Sequence, residues 1–186
     1  MSKINLKPGI VNFPMPMTIV GATVQDKVNF MPAAWVSMVS YAPPKIAVTL
    51  GDHHYTNKGI KEHGVFTVNF PSVEHMGPVD YCGLVTGEKV DKSGVFPVFY
   101  GESDKAPMIK NFKLNVECKL DKVVVNGRNE TFIGDIVGIY AEDSVLTDGK
   151  VDLDKLAPLI LGQVTLEYRA IGEKTGPAWK IGKNYI

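Results

Sequence analysis

Apolar residues in this chain recur mostly with a period of two, in short runs cut by turn-forming residues, which is the pattern of half-buried strands. The first run, Met17-Thr18-Ile19-Val20-Gly21-Ala22-Thr23-Val24, follows a lead-in broken by Pro8, Pro14 and Pro16 and ends at a Gln25-Asp26-Lys27 turn. Two more strands are expected over residues 33–41 and 45–50. Between them stands Pro43-Pro44, which lacks the N–H groups a ladder needs. Residues 55–63 are polar with few apolar anchors and predict a short helix ended by Gly64. Val65-Phe66-Thr67-Val68-Asn69-Phe70 then alternates as a strand. A second short helix is expected over residues 73–86, followed by a loop through 94–107. Two β-rich runs, 114–125 and 130–140, meet at Asn126-Gly127, a dipeptide that accepts the positive φ angles of a tight hairpin. Asp148-Gly149 marks another reversal, a helical piece covers 152–159, and a last strand covers 163–170. Seven or so short strands without long intervening helices predict a mainly β fold, an antiparallel barrel or sandwich with helical excursions.

The bulk properties narrow the function. At 186 residues the chain is expected to form one domain over 1–186, large enough to bury roughly 70% of its unfolded surface without disulfide or metal. Lys plus Arg equals Asp plus Glu, 20 of each, so no net field draws nucleic acid or a membrane surface. The N-terminus lacks the apolar core of a signal peptide, and no stretch approaches the roughly 18 apolar residues of a membrane span. A cytoplasmic protein is expected, with Cys82 and Cys118 as two buried thiols.

The usual catalytic signatures are missing. There is no glycine-rich nucleotide fingerprint, no P-loop, no serine elbow and no paired Cys or His at metal-binding spacing, so no metal is expected. His53 and His54 are adjacent, which suits a solvated loop better than chelation, and the carboxylates are scattered. A bound cofactor is therefore a more economical carrier of chemistry than side chains alone. Two segments are candidates to hold one. In Val28-Asn29-Phe30-Met31-Pro32-Ala33-Ala34-Trp35, small alanines next to a tryptophan admit a flat ring, although a core tryptophan with Asn29 in a turn explains the same residues. In Leu50-Gly51-Asp52-His53-His54-Tyr55-Thr56-Asn57, capping residues open a helix whose free N–H groups suit a phosphate, or simply make an ordinary cap.

Taken in order, these segments resemble the flavin reductase-like (flavoredoxin) family. The likeness rests on Asn29-x-Met31-x-x-x-Trp35 after a Gly-Ala-Thr strand, Pro43-Pro44 before an aliphatic strand, the Tyr55-Thr56 helix start, and Gly64-x-Phe66-x-Val68-Asn69. It continues through Asp80-Tyr81-Cys82-Gly83 leading to Asp91-Lys92, Ala106-Pro107-Met108-Ile109, Leu114-Asn115-Val116-Glu117-Cys118 and Phe132-Ile133-Gly134-Asp135-Ile136. The resemblance implies an FMN-binding split barrel of Greek-key type, usually a homodimer with flavin near the subunit interface. Carried across, Asn29, Phe30, Met31, Pro32, Ala33 and Trp35 line one side of a tightly held FMN. Leu50 and the His53, His54, Tyr55, Thr56 and Asn57 turn supply backbone groups and the Thr56 hydroxyl, and Lys92 meets the phosphate. No side chain is then catalytic, since the chemistry sits on the flavin N5. The family departs here in Pro32-Ala33-Ala34, where a Thr or Ser often precedes the tryptophan, and in His53-His54-Tyr55, where Arg and Ser are common. Phosphate recognition then leans on backbone N–H groups and Lys92. The implied activity is NAD(P)H-dependent flavin reduction, with free flavin or a redox partner protein as acceptor. Two alternatives stand beside it, an electron carrier of flavoredoxin type without NAD(P)H activity and a β-barrel binding module with no redox role.

Overall fold

Gln25 and Asp26 both take positive φ, 49° and 62°, the backbone of a two-residue hairpin turn whose twist matches its strands. In this computed structural model, which describes residues 1–185, that turn joins β1 (Thr18–Val24) to β2 (Lys27–Ala33). The expectation that Lys27 belongs to the turn and that strand resumes only at residue 33 is corrected here. Asn29 lies mid-strand opposite Ala22, because pairing with the wholly buried β1 outweighs the local polarity of Lys27 and Asn29. Ala34 and Trp35 carry the chain to β3 (Val36–Tyr41), which returns as β4 (Pro44–Gly51). Only Pro43 lies in the reversal. Pro44 opens β4 opposite Tyr41, the strand position where proline costs least.

The chain continues through α1 (Thr56–His63), β5 (Val65–Phe70), a 3-10 turn at Val73–His75, α2 (Met76–Leu84), β6 (Leu114–Asn126) and β7 (Asn129–Ala141). The helix expected over 73–86 is thus a turn plus a shorter helix, and the loop expected over 94–107 contains Val98–Phe99, paired with Met108–Ile109. Asn126 ends its strand opposite Asn129. Gly127, at φ 59°, and Arg128 therefore make the hairpin turn. The run expected as a last strand splits at a turn where Leu166 takes φ 51°. Leu159–Gly162 pairs with Glu167–Ala170 on one side and Pro14–Pro16 on the other.

The main sheet runs β2-β1-β5-β6-β7-β4-β3, antiparallel throughout. Consecutive β5, β6 and β7 are neighbours while β4, which precedes them, lies beside β7, a Greek-key arrangement. The sheet curls into a barrel. Met31 and Ala33 from β2, at one end of the order, share an interior cluster with Ile46, Val48 and Leu50 from β4, near the other. Phe66, Val68, Val116, Cys118 and Phe132 fill the middle. A second cluster, with Phe30, Val79, Cys82, Phe96 and Phe112, cements α2 to the outer side of β1 and β2. Among the described residues no helix is long and apolar enough to cross a membrane.

Candidate functional site

β2 is an edge strand, paired within the sheet only with β1, which is why Pro32 is tolerated in it. Its free edge borders two adjoining cavities of about 470 and 390 Å³ that share Met31, Pro32, His53 and His54. The first is bounded by Asn29, Tyr55, Thr56, Lys92 and the segment from Cys82 to Gly87. The second is bounded by Ala33, Ala34, Trp35, Leu50, Leu161 and Tyr168. The edge of β2 and the turn after β4 thus come together across one cleft.

Eleven of the thirteen residues expected at the site line that cleft: Asn29, Met31, Pro32, Ala33, Trp35, Leu50, His53, His54, Tyr55, Thr56 and Lys92. Two do not. The Phe30 ring is fully buried against Phe96, 5.4 Å away and perpendicular, because alternation along β2 turns it to the opposite face from Asn29 and Met31. The Asn57 side chain is buried away from the cleft. It donates to the Gly51 carbonyl and to Glu130 Oε2, both at 2.9 Å, and so ties the turn after β4 to β7. Nor do Thr56 and Asn57 cap α1. Tyr55 holds the N-cap position, with no side-chain cap, while Thr56 Oγ1 accepts a 2.7 Å bond from Asn29 Nδ2.

The polar cavity has two unmet demands. Lys92 is 3% exposed, and its ammonium donates to the Phe30 and Cys82 carbonyls at 3.0 and 2.7 Å. An ammonium has three N–H donors, and no carboxylate pairs with this one among the described residues. Burial accordingly pushes its pKa down. Asn29, 4% exposed, is the mirror case, since its Oδ1 is buried without a hydrogen-bond partner. A buried acceptor left bare costs about 1–3 kcal/mol. The Asn29 amide also fixes Thr56, whose hydroxyl, already accepting, keeps its proton for another acceptor.

Trp35 forms the outer wall. It is 39% exposed, and its indole N–H donates to Gln163 Oε1 at 2.6 Å. Its one donor is therefore spent on positioning the ring. The His53 and His54 rings stand 4.3 Å apart, inclined at 36°. Both thiols are buried and unpaired. Burial lifts Cys82 to about 11 and Cys118 further still, so neither supplies a thiolate at neutral pH.

His54 is pushed below its ordinary 6.5, chiefly by burial, then by His53 and Lys92. The unfolded chain therefore binds this proton more readily than the folded chain. The contribution of neutral His54 is complete above pH 6.5 and is lost as pH falls below it. His75, depressed mainly by burial, acts in the same direction. The Tm of the protein should fall between pH 7 and pH 5, and His54→Asn should shallow that slope. Equal slopes for the two proteins would contradict this account.

Sequence reading missed the Gly83-to-Gly87 segment, Gln163 and Tyr168. Only Gly87 carried a signal. A Cβ there would lie 2.0 Å from Asn29 Oδ1 and 2.9 Å from the Tyr55 ring, so this glycine permits the close approach that walls the cavity.

The protein is thus a Greek-key barrel with a cleft along its β2 edge, polar and cationic at one end and walled by Ala33, Ala34, Trp35 and Leu50 at the other. The sequence matches the flavin reductase like domain over residues 10–164, and the chain belongs to that family. It is similar to the crystal structure of flavoredoxin from Methanosarcina acetivorans, at 44% identity and TM-score 0.97 with both chains fully covered. It is also similar to flavoredoxin of Desulfovibrio vulgaris (Miyazaki F), at 34% identity and TM-score 0.91, over 98% of this chain and 100% of that one. An uncharacterized protein of Archaeoglobus fulgidus is 34% identical over 131 residues, 69% of this chain and 73% of the relative. The fold is the antiparallel split barrel of this family.

Proposed function

We propose that this chain holds FMN in the cleft and passes reducing equivalents through it, as an NAD(P)H-dependent flavin reductase-like oxidoreductase. The observation that carries the reading is a buried, carboxylate-free Lys92 ammonium in the same cavity as the Thr56 hydroxyl, which keeps a proton to donate. Both favour an anionic or hydroxyl oxygen as partner. A phosphate ester on a polyhydroxyl chain supplies such oxygens. The adjoining slot between Ala33, Ala34, Trp35 and Leu50 suits a flat ring. Solved relatives named as FMN-binding proteins share the fold.

Bound FMN would supply hydride acceptance and electron release at its ring. Asn29 then orients the chain hydroxyls and the Thr56 proton, and Lys92 holds the phosphate. Trp35, locked by Gln163, sets the ring plane and excludes water from one side. In this reading the chemistry needs no side chain as general acid or base, and the neutral thiols take no part. The protein is further proposed to act in the cytoplasm as a homodimer, given the exposed Met38, Val39 and Tyr41 along its edge strand.

The test is a visible spectrum of the purified protein, followed by NADH and NADPH oxidation with free flavin or ferricyanide as acceptor. Turnover supports the reductase reading. A yellow protein inert to both nucleotides supports a second reading, a carrier between protein partners, which the likeness to two flavoredoxins favours. A colourless protein that leaves FMN fluorescence unquenched overturns both.

Trp35→Ala separates site from scaffold. A half-exposed ring contributes little to folding, so Tm should move by only a few degrees while FMN affinity drops about five- to hundredfold, by roughly the 1–3 kcal/mol of ring stacking. Unchanged FMN retention would remove Trp35 from the site.

A further inference from the structure

Outside the cleft, on the other side of Trp35, lies a third cavity of about 560 Å³. It is lined by Ile10, Phe13, Met15, Val36 and Ala47, and it shares Ala34, Trp35 and Thr49 with the cleft. No charged residue lines it. Ile10 and Phe13 are 60% and 54% exposed, so this end of the chain leaves an apolar groove uncovered.

The other end of the chain leaves apolar side chains equally uncovered. After Ala170 the backbone leaves the small sheet, runs without regular structure to Pro177 and finishes in a 3-10 turn, Ile181–Tyr185. Trp179 is 96% exposed, Ile181 57% and Tyr185 92%. A tryptophan so placed gains nothing from its own barrel, and ordering the segment costs conformational entropy that no contact repays. Its course is nevertheless shared with the Methanosarcina flavoredoxin. A TM-score averages over residues, and fifteen of 186 on a different path would hold it well below 0.97. Residues 171–176 border Asp152–Asp154 of their own chain, but Trp179, Ile181 and Tyr185 stand clear of it, and a segment that keeps one path while so exposed is held from outside.

We infer that the occupant of the groove is the tail of a second copy: residues 171–185 of one protomer lie across the apolar groove of the other, with Trp179 seated beside Trp35. Two observations single out this occupant. The tail offers three large apolar side chains to a groove without charge. Its own charges either precede the first anchor, at Glu173 and Lys174, or alternate with the anchors, at Lys180 and Lys183, where they can stay in water. The exchange is reciprocal, as a two-fold dimer requires. Because Trp35 is shared between groove and cleft, the visiting tail covers the outer face of the residue whose inner face bounds the cleft. That last consequence rests on the flavin reading above; the docking does not.

The experiment uses the full chain and exploits the fact that both native thiols are buried. Trp179→Cys carries one affinity tag and Ser37→Cys, at the groove, carries another; Ala34→Cys serves as a second groove position. Tail and groove variants are mixed, allowed to exchange subunits and oxidised. Disulfide-linked species bearing both tags are expected, and each variant alone should give few. Trp179→Ala should raise the dimer dissociation constant at least tenfold by sedimentation. The inference is overturned if neither groove position crosslinks to 179 in trans. It is also overturned if chains carrying both cysteines form the bond within one monomer, or if Trp179→Ala dimerises like the parent. FMN content is read separately by absorbance. Crosslinking in a colourless protein would leave the docking intact and sink only the flavin reading.

Discussion

Lys92→Ala should weaken FMN binding by roughly ten- to hundredfold while riboflavin affinity changes by less than about threefold, because a charge-assisted hydrogen bond is worth about 1.5–3 kcal/mol and only FMN carries the phosphate. The comparison of two ligands is needed because Lys92 also serves the fold. Its ammonium donates to the Phe30 and Cys82 carbonyls, joining the edge of β2 to the end of α2. Truncation leaves two buried acceptors short of a donor, so Tm should fall as well, and both ligands would share whatever affinity follows from a loosened cleft. The phosphate term is what remains in the FMN-to-riboflavin ratio. Lys92→Met, which keeps most of the volume, should reproduce the ratio with a smaller drop in Tm. Isothermal titration of flavin-free protein with each flavin measures it. Parallel losses for both flavins would assign Lys92 a purely structural role.

Burial also gives that prediction a sign in the reverse direction. Desolvation pushes the Lys92 pKa down in the flavin-free protein, and an anionic ligand within reach of the third N–H would restore it. The ammonium is thus held in a position that is costly without a ligand and satisfied with one. A structural lysine would instead be found beside a carboxylate, as Lys45 is beside Asp121 and Asp135, at 2.9 and 2.8 Å.

How much of this was legible in the sequence depends on the residue. Strand Val65–Phe70 was readable to the residue, because strict alternation and flanking Gly64 and Pro71 leave one solution. β2 was not. Lys27 and Asn29 look like turn residues locally, and only the pairing with β1 makes them strand. The expected count of seven strands matches the main sheet, but by exchange: β2 enters, and the run over 163–170 leaves for the small sheet with Pro14–Pro16. The site followed the same logic. Asn29, Trp35, Thr56 and Lys92 were named through a family resemblance, and they do meet around one cleft. Phe30 was misplaced because consecutive strand residues face opposite ways, and Asn57 because its partner, Glu130, is 73 residues away. Gln163 and Tyr168 could not be found from any local pattern, since a separate small sheet brings them to the cleft.

Two glycines in helices should respond to the same substitution with opposite signs. Gly59 sits in α1 where the helix presses on β1, and a Cβ there would lie 2.1 Å from the Thr23 carbonyl oxygen and 2.7 Å from Val24 Cγ2. A backbone carbonyl within a paired, buried strand cannot rotate aside as a side chain could. Alanine brings a helix-propensity gain of up to about 1 kcal/mol, but overpacking of this kind costs roughly 1–3 kcal/mol and more where backbone must shift. Gly59→Ala should therefore lose about 2 kcal/mol net, a Tm drop of roughly 4–8 °C for a chain of this size. Gly77, in α2, faces open space, with nothing within 4 Å of where a methyl group would sit, so Gly77→Ala should be neutral or raise stability by about 0.5 kcal/mol. The contrast reaches the cleft, because lifting α1 from β1 carries Thr56 away from Asn29 Nδ2. Gly59→Ala should accordingly weaken FMN even at temperatures where the protein remains folded, while Gly77→Ala should leave FMN affinity unchanged. Thermal melts with flavin titrations on both variants decide it. A Gly59→Ala protein as stable as its parent would mean that α1 rides on β1 loosely, and that the Asn29–Thr56 bond is held by something other than helix packing.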